Sequence, residues 1–230
     1  MIVENLDRVR SRIADVCRKC GRDPGDVTLV AVSKTFGADK IEEALTAGQR
    51  DFGENYVQEL EEKRSTIASP DVRWHFIGHL QSNKVKYVSP YVHLIHSVDS
   101  EGLVEEINRR GEKIGRVIDY LVEVHTTEEA TKFGVKPPDV VNLVEQAAGM
   151  KHARVLGLMT MGPFTENPDD SRPCFKLVAE LKREIEARKI AGVSMKHLSM
   201  GMTHDFDVAI EEGATLLRIG TAIFGKRQTV

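Results

Sequence analysis

Val27-Thr-Leu-Val-Ala-Val-Ser-Lys34 is the stretch that decides the fold of this 230-residue chain. Its first six residues are almost entirely apolar, which is typical of a strand buried on both faces of a parallel sheet. The apolar run stops at Ser33 and Lys34, and an amphipathic segment follows at residues 41–45. A buried strand followed by a helix is the repeating unit of α/β folds. The stretch therefore predicts a parallel sheet covered by helices.

Short apolar strands recur along the chain, with helical patterns between them. We expect further strand cores at residues 51–53, 74–77, 94–98, 117–124, 154–159, 197–200 and 215–219. Helical patterns cover residues 6–17, 41–45, 103–107, 140–148, 175–190 and 209–210. Eight strand–helix units favour a single (β/α)8 barrel of the TIM type, preceded by an extra N-terminal helix. A doubly wound open sheet is the alternative, because a strand count does not prove closure.

Composition and charge restrict the kind of partner. The chain has a formal charge of −3 and 29% charged residues, which gives no electrostatic reason to expect nucleic acid or membrane as a partner. No stretch approaches the roughly 18 apolar residues of a spanning helix, and the first residues do not have the basic start of a signal peptide. We expect one cytoplasmic domain over residues 1–230.

Polar residues follow the predicted strands at their carboxyl ends, where a barrel of this type places its site. The first of them is Lys34, whose stem would lie against the core with its amine at the barrel mouth. Desolvation and nearby positive charge there would favour a neutral amine, which Schiff-base formation with a carbonyl requires. A lysine at a strand end also commonly extends its amine into solvent. Position alone does not choose between these two roles.

Two glycine-containing turns follow the last two predicted strands, where many barrels bind phosphate. Their sequences are Ser199-Met-Gly-Met-Thr203 and Arg218-Ile-Gly-Thr221. Glycine lets backbone N–H groups approach an anion, and threonine hydroxyls add donors. The pair favours a phosphate site over turns that merely connect elements. Arg218 could neutralise phosphate, donate to a ring nitrogen or form a buried ion pair, and its position leaves all three open.

Two groups of residues invite a metal or redox assignment, and both have simpler explanations. Cys17 and Cys20 have suitable spacing, but they end an amphipathic helix without a second pair of ligands, so we expect two thiols on a helix surface. His75, His79 and His96 lie on different strands or loops without the spacing of a ligand pair. We expect core or tuned histidines there, and no metal.

Six segments, taken in chain order, carry a resemblance to a known family. They are Val30-Ala-Val-Ser-Lys-Thr35, Phe52-Gly-Glu-Asn-Tyr-Val-Gln-Glu59, Trp74-His-Phe-Ile-Gly-His-Leu-Gln-Ser-Asn-Lys84, Leu156-Gly-Leu-Met-Thr160, Leu198-Ser-Met-Gly-Met202 and Arg218-Ile-Gly-Thr-Ala-Ile-Phe-Gly225. The chain resembles the pyridoxal phosphate homeostasis proteins (the YggS/PROSC group) over nearly its whole length. The resemblance implies pyridoxal 5′-phosphate as the cofactor and a barrel similar to the N-terminal domain of alanine racemase.

The resemblance also implies roles for particular residues. Lys34 would carry the cofactor as a Schiff base, and Arg218 would face the pyridine nitrogen. The implied cofactor-binding residues are Lys34, Asn55, Met159, Ser199, Gly201, Met202, Thr203, Arg218, Gly220 and Thr221. His79 and Asn83 would lie near the rim of the site, and Lys132 resembles a second family lysine near its entrance. The family commonly has serine at position 203, where threonine keeps the hydroxyl and adds a methyl group.

The implied function is to hold the cofactor, in intracellular homeostasis of pyridoxal 5′-phosphate and, linked to it, of amino and keto acids. The alternative is an amino-acid racemase of the alanine-racemase type, which needs an acid/base group on each face of its substrate. Related racemases take one of these groups, a tyrosine, from a second domain that this sequence does not show. Arginine at the ring nitrogen would also weaken the cofactor as an electron sink. We therefore expect no robust catalysis, apo-enzymes as partners, and a monomer.

Overall fold

The strands alternate with helices as the sequence predicts in the computed structural model, which describes residues 1–127 and 133–226. They are β1 (Thr28–Val32), β2 (Asp51–Glu54), β3 (Arg73–Phe76), β4 (Leu94–Val98), β5 (Ile118–Glu123), β6 (Ala153–Met159), β7 (His197–Ser199) and β8 (Leu216–Ile219). Every strand boundary lies within one residue of its predicted position. The apolar runs were sufficient to place the strands because most residues of each strand are buried.

The eight strands close into a barrel in sequence order, and every neighbouring pair is parallel. Closure is made by β1 and β8, whose Cα partners include Val30 with Arg218 and Ala31 with Ile219. An open doubly wound sheet reverses its strand order and leaves two free edges, so this pairing excludes it. All carboxyl ends of the strands therefore meet at one mouth of the barrel.

Helices cover the outside of the barrel. Those of the described residues are α1 (Ile2–Lys19), α2 (Ala38–Thr46), α3 (Val57–Thr66), α4 (Val85–Val88), α5 (Glu101–Ile114), α6 (Pro137–Ala147), α7 (Arg172–Ala187), α8 (Phe206–Glu211) and α9 (Thr221–Phe224). The predicted helical patterns omit α3, because Val57 and Leu60 are its only apolar residues. Lys63 completes its buried face, and a buried lysine needs a polar partner nearby.

The core has two layers. Inside the barrel lies a small apolar cluster, formed by Val30, Leu94, Leu121, Met159 and Leu216. A larger cluster fills the space between the strands and the helices. Polar side chains also point into the barrel, because a hydrogen bond joins His96 of β4 to Ser199 of β7, two strands that are not neighbours. The interior is therefore apolar in part and polar in part.

The N-terminal helix α1 packs against α2, α8 and α9, which confirms the predicted addition to the barrel. Its buried face includes Ile13 and Cys17. The expectation of two surface thiols is wrong for Cys17, because it lies one helical turn after Ile13 on the buried face and is 0% exposed. Cys20 is exposed, and both are free, as is Cys174. Within the described ranges, none of the helices is both long enough and apolar enough to cross a membrane.

Candidate functional site

Lys34 follows β1 in a tight loop at the carboxyl mouth of the barrel, and it is partly buried. The next residue, Thr35, has φ +69°, a left-handed conformation that costs about 1 kcal/mol for a residue with a Cβ. The Thr35 backbone N–H donates to Glu59, and the ring of Phe36 stacks on that of Phe224 with centroids 5.2 Å apart. These contacts stabilise the loop and so fix where the Lys34 side chain begins.

A buried ion cluster lies against this loop. Nζ of Lys63 donates to the carbonyl oxygen of Ser33 and to one carboxylate oxygen each of Glu54 and Glu59, at 2.7 Å in all three cases. The side chain of Lys63 is 6% exposed and that of Glu54 is 0% exposed. Burial raises the pKa of Glu54, although the Lys63 ammonium and the Ser33 hydroxyl act in the opposite direction. The cluster ties α3 to the backbone immediately before Lys34.

Arg218 on β8 is a second buried cation at this mouth, with 5% of the residue exposed. Its Nη1 donates to Ser199 Oγ at 2.6 Å and its Nη2 donates to the carbonyl oxygen of Thr160 at 2.8 Å. Burial lowers the pKa of Arg218 to about 10, with Glu123 and Asp205 acting against that change. The guanidinium is therefore charged at neutral pH. The described residues supply acceptors for two of its five N–H groups.

Two glycine-containing turns meet at the same mouth. After β7, Gly201 has φ +91°, and a Cβ at this position would lie 2.6 Å from the Cβ of Ala209, so both conformation and space require glycine. After β8, Gly220 leads into α9, where the backbone N–H of Ala222 donates to Thr203 Oγ1 at 3.4 Å. The structure thus brings together the two turns that the sequence assigns to phosphate.

Asn55, which follows β2, carries a polar atom without a partner. Its Oδ1 is buried and has no hydrogen bond within the described part of the chain. Gly78 packs against the backbone of Asn55, because a Cβ on Gly78 would lie only 2.2 Å from the Asn55 carbonyl oxygen. Buried polar side-chain atoms without a hydrogen bond are uncommon in folded proteins. The Asn55 amide is therefore a group that a ligand can engage.

The remaining predicted residues surround the same mouth. Met159 ends β6 and is 1% exposed within the inner apolar cluster, and its Cα pairs with that of Ser199 on β7. The backbone N–H of Met202 donates to Asp205 at 2.7 Å. The side chains of Met202 and Thr221 are exposed. All ten predicted positions therefore lie on or just beyond the carboxyl ends of strands, and their part in binding stays a prediction.

Glu123 ends β5 at this mouth and is absent from the predicted site residues. It is 4% exposed, and burial raises its pKa to about 7, with Arg218 acting to lower it and Asp99 acting to raise it further. A buried carboxyl group that titrates near neutral pH beside a candidate site can act as an acid or a base. The sequence signal that could have indicated Glu123 is its place at the end of an apolar run. The corresponding signal for Lys63 is its place between the apolar residues Leu60 and Ile67.

The loop after β3 forms part of the rim, as predicted for His79 and Asn83, and both residues are exposed. The ring of His79 stacks on that of Phe133 with centroids 3.7 Å apart, and His79 Nδ1 lies 3.7 Å from a carboxylate oxygen of Asp99. Lys132, predicted near the entrance, lies outside the described residues. The rim therefore joins the loop after β3 to the segment that begins at Phe133.

The opposite mouth of the barrel holds a cluster of possible metal ligands. Asp51, His75 and His93 each place one ligand atom within 4.8 Å of the others. The donor atoms of two of them are already engaged, because Asp51 accepts from Arg73 and lies 2.9 Å from His75 Nε2, while His75 Nδ1 lies 2.9 Å from His96. The expectation of no metal stays a prediction.

Comparisons with known proteins place this geometry in a family. Residues 5–228 match the alanine racemase N-terminal domain. The pyridoxal phosphate homeostasis protein of Aquifex aeolicus (strain VF5) is 45% identical over 225 residues, which cover 98% of each chain. That of Pseudomonas aeruginosa PAO1 is 37% identical over 226 residues, 98% of this chain and 96% of the other. This chain belongs to the pyridoxal phosphate homeostasis protein family.

Solved structures resembling this homeostasis-family protein include PipY of Synechococcus elongatus PCC7942. Its structure without pyridoxal phosphate has a TM-score of 0.88 and 34% sequence identity, covering 98% of this chain and 100% of PipY. Its structure with pyridoxal phosphate bound has a TM-score of 0.86 and 33% identity over the same shares. The family resemblance and the barrel predicted from the sequence are confirmed.

Proposed function

We propose that this protein holds pyridoxal 5′-phosphate on Lys34 as a Schiff base and serves in intracellular homeostasis of that cofactor. The proposal includes the linked homeostasis of amino and keto acids, one domain over residues 1–230, and no robust catalysis. The observation that carries it is the convergence of Lys34, Arg218 and two glycine-containing turns at one barrel mouth. The pyridoxal phosphate-bound structure of PipY supports the choice of cofactor.

The residues present fit the chemical groups of this cofactor. Its phosphate needs N–H and O–H donors, which the turns at Gly201 and Gly220 and the hydroxyl of Thr203 can supply. Its pyridine nitrogen accepts, and Arg218 can only donate. The amide of Asn55 adds a buried polar group whose oxygen is unsatisfied. We assign cofactor binding to Lys34, Asn55, Met159, Ser199, Gly201, Met202, Thr203, Arg218, Gly220 and Thr221.

Lys34 provides the covalent link. Its neutral amine would hold the aldehyde carbon of the cofactor through a C=N bond, with the aldehyde oxygen released as water together with the two hydrogens of the amine. Lys63 supports this step by holding the Ser33 carbonyl at 2.7 Å and so fixing the loop that carries Lys34. When bound, the cofactor supplies an electrophilic carbon for amines and a ring that can accept electrons.

Arg218 favours holding the cofactor over catalysis. A group that only donates leaves the pyridine nitrogen unprotonated, which weakens the ring as an electron acceptor. The racemase alternative also needs two acid/base groups, one on each face of the substrate. Glu123 is the observation that favours this alternative, because burial raises its pKa to about 7. We therefore expect any racemisation to be slow and to depend on Glu123.

Borohydride trapping tests the tether. Purified protein mixed with pyridoxal phosphate should show a Schiff-base absorption band, and reduction should fix a pyridoxyl group on Lys34 in the peptide map. Lys34→Ala should lose the adduct. Lys40→Ala is the control, because Lys40 lies on α2 with 47% of its side chain exposed and should not affect the adduct. An adduct mapped to another residue in the wild type would contradict the assignment.

A measurement of alanine racemisation distinguishes a protein that only binds the cofactor from an amino-acid racemase. Loaded wild-type protein should interconvert L- and D-alanine slowly or not at all, and Glu123→Gln should abolish any residual rate. Rapid interconversion by the pure wild-type protein would establish the racemase alternative and reject the proposed lack of robust catalysis.

We further propose apo-enzymes in the cytoplasm as recipients of the cofactor and a monomer as the working assembly. Loaded wild-type protein should reactivate a defined apo-enzyme faster than the same concentration of free pyridoxal phosphate does, and Lys34→Ala should give no such advantage. Equal rates would indicate that the protein buffers the cofactor and does not deliver it.

Size-exclusion chromatography with light scattering measures the molar mass of the assembly, and the mass of a dimer would contradict the proposed monomer.

A further inference from the structure

A continuous series of polar contacts crosses the barrel from one mouth to the other. His75 Nε2 lies 2.9 Å from Asp51 Oδ1, and His75 Nδ1 lies 2.9 Å from His96 Nε2. His96 Nδ1 lies 2.8 Å from Ser199 Oγ, which accepts from Arg218 Nη1 at 2.6 Å. All five residues are at most 5% exposed. We call this series the Asp51–Arg218 relay.

The two ends of the relay fix the direction of the bonds between them. Arg218 has donors and no acceptor, so Ser199 accepts from it. An ionised Asp51 has acceptors and no donor, so His75 must donate to it from Nε2. With both histidines neutral, His96 then donates from Nε2 to His75 Nδ1, and Ser199 donates its hydroxyl hydrogen to His96 Nδ1. This arrangement satisfies every contact, and a histidinium at His96 would add a second buried cation beside Arg218.

The charges of the buried groups agree with this direction. Burial lowers the pKa of His96 well below its usual range, and the Arg218 guanidinium acts in the same sense. Burial opposes the ionisation of Asp51, but hydrogen bonds from Arg73 and His75 outweigh it and hold its pKa far below the usual range. At neutral pH the relay therefore has a carboxylate at one end, a guanidinium at the other and a neutral His96 between them.

We propose that the relay sets the orientation of Arg218 toward the cofactor and that the neutral rings of His75 and His96 both carry their proton on Nε2. Because Ser199 gives its hydroxyl hydrogen to His96, its oxygen lone pair faces Arg218 Nη1. The Thr160 carbonyl fixes Nη2 at 2.8 Å, and two fixed nitrogens determine the plane of the guanidinium. That the cofactor is the ligand of Arg218 rests on the proposed function. The histidine tautomers do not depend on it, because they can be measured in the protein without cofactor.

Nitrogen NMR of histidine-labelled, cofactor-free protein tests the tautomers directly. At about pH 8, where an ordinary histidine is neutral, both His75 and His96 should carry a proton on Nε2 and none on Nδ1. The variants His75→Gln and His96→Gln assign the signals by removing them one at a time. A proton on Nδ1 of either ring in the wild-type protein would overturn the proposed direction of the relay.

Asp51→Asn tests the carboxylate end of the relay because it keeps the shape of the side chain and removes its charge. Arg73 Nε and His75 Nε2 both contact Asp51 Oδ1, so the amide oxygen should take that position and the amide NH2 should replace Oδ2, which accepts from the other end of Arg73. His75 should therefore keep its proton on Nε2, and so should His96. A proton on Nδ1 of either ring in this variant would overturn the inference.

Asp119→Asn is the matched control. Asp119 of β5 pairs with Arg154 of β6 at 2.7 and 2.9 Å, as Asp51 of β2 pairs with Arg73 of β3, and within residues 1–127 and 133–226 its hydrogen bonds do not include a histidine. This control should leave both tautomers unchanged. It should also weaken pyridoxal phosphate binding less than about twofold, whereas Asp51→Asn should weaken it about threefold to tenfold.

Two outcomes distinguish the failure of this inference from the failure of the proposed function. Equal losses of binding in Asp51→Asn and Asp119→Asn would reject the positioning role while leaving the cofactor assignment intact. If the wild-type protein bound no pyridoxal phosphate, the proposed function and the stated ligand of Arg218 would both be rejected, and the NMR result alone would decide the direction of the relay.

Discussion

Lys63 and Arg218 are both buried cations at the carboxyl mouth of the barrel, and the protein compensates their charges differently. Lys63 contacts the carboxylates of Glu54 and Glu59 at 2.7 Å each. Arg218 donates to the Ser199 hydroxyl and to a backbone carbonyl, while in the described chain its carboxylate neighbours act only from a distance. Removing a directly paired, buried ammonium leaves its carboxylate partner uncompensated, which destabilises the fold. A guanidinium with neutral acceptors keeps its charge and several donors for a ligand.

Removing the directly paired cation should have the largest effect. Lys63→Met leaves Glu54 buried without this partner, so the free energy of unfolding should fall by about 3 to 5 kcal/mol. Urea unfolding at neutral pH measures the loss. Because burial raises the pKa of Glu54, the folded state binds its proton more tightly than the unfolded state does. The variant should therefore regain stability as the pH falls.

Lys182→Met on α7 is the matched control for this loss. Lys182 pairs with Glu186 at 3.0 Å on the helix surface, an interaction worth roughly 0 to 1 kcal/mol. If Lys63→Met were no more destabilising than Lys182→Met, the buried ion pair of Lys63 would not be needed for the stability of the fold. Lys63 and Arg218 would then not differ in this respect.

The second prediction concerns the carboxyl group that acts on Arg218 from a distance. Burial raises the pKa of Glu123 to about 7, against about 4.3 in the unfolded chain. A raised folded-state pKa gives a stabilising contribution that is complete below about pH 4 and is lost as the pH rises through about 7. Between about pH 5 and about pH 8, Glu123→Gln should therefore gain about 3 kcal/mol relative to the wild type.

Urea unfolding of the wild type and Glu123→Gln at both pH values measures this gain. The sign is the test, because a carboxylate that Arg218 held ionised would give the wild type no loss of stability as the pH rises. A stability difference that did not change with pH would show that Glu123 does not titrate in this interval.

The third prediction removes a neutral acceptor of Arg218. Ser199→Ala deprives the buried guanidinium of the oxygen at 2.6 Å, and the free energy of unfolding should fall by about 2 kcal/mol. Ser199→Thr keeps the hydroxyl and should recover most of that loss. Ser89→Ala is the control, because Ser89 is also buried but donates only to the Val85 carbonyl oxygen, and it should cost about 1 kcal/mol. Equal losses in the two alanine variants would mean that Ser199 does not hold Arg218.

The sequence predicts the barrel and the positions of Lys34 and Arg218 for the same physical reason. Strands buried on both faces appear as apolar runs, and site residues follow directly at their carboxyl ends. A fully apolar run does not tell which side chains point into the barrel, so the raised pKa of Glu123 could not be predicted. The ion pair of Lys63 joins a helix to the end of a strand, and the sequence does not show how the two pack. The contact of His96 with Ser199 spans 103 residues and depends on barrel closure.

The smallest expected effect concerns the second acceptor of Arg218. Thr160 offers its carbonyl oxygen to Nη2, while its hydroxyl contacts Thr126 Oγ1 at 2.7 Å. Thr126→Val removes that hydroxyl contact and should lower the free energy of unfolding by about 1 kcal/mol. In a double-mutant cycle with Ser199→Ala, the two losses should depart from additivity by about 0.5 kcal/mol or more, because both acceptors hold the same guanidinium. Additivity within that margin would mean that Thr126 does not act on Arg218 through Thr160, and that the two neutral acceptors hold this cation independently.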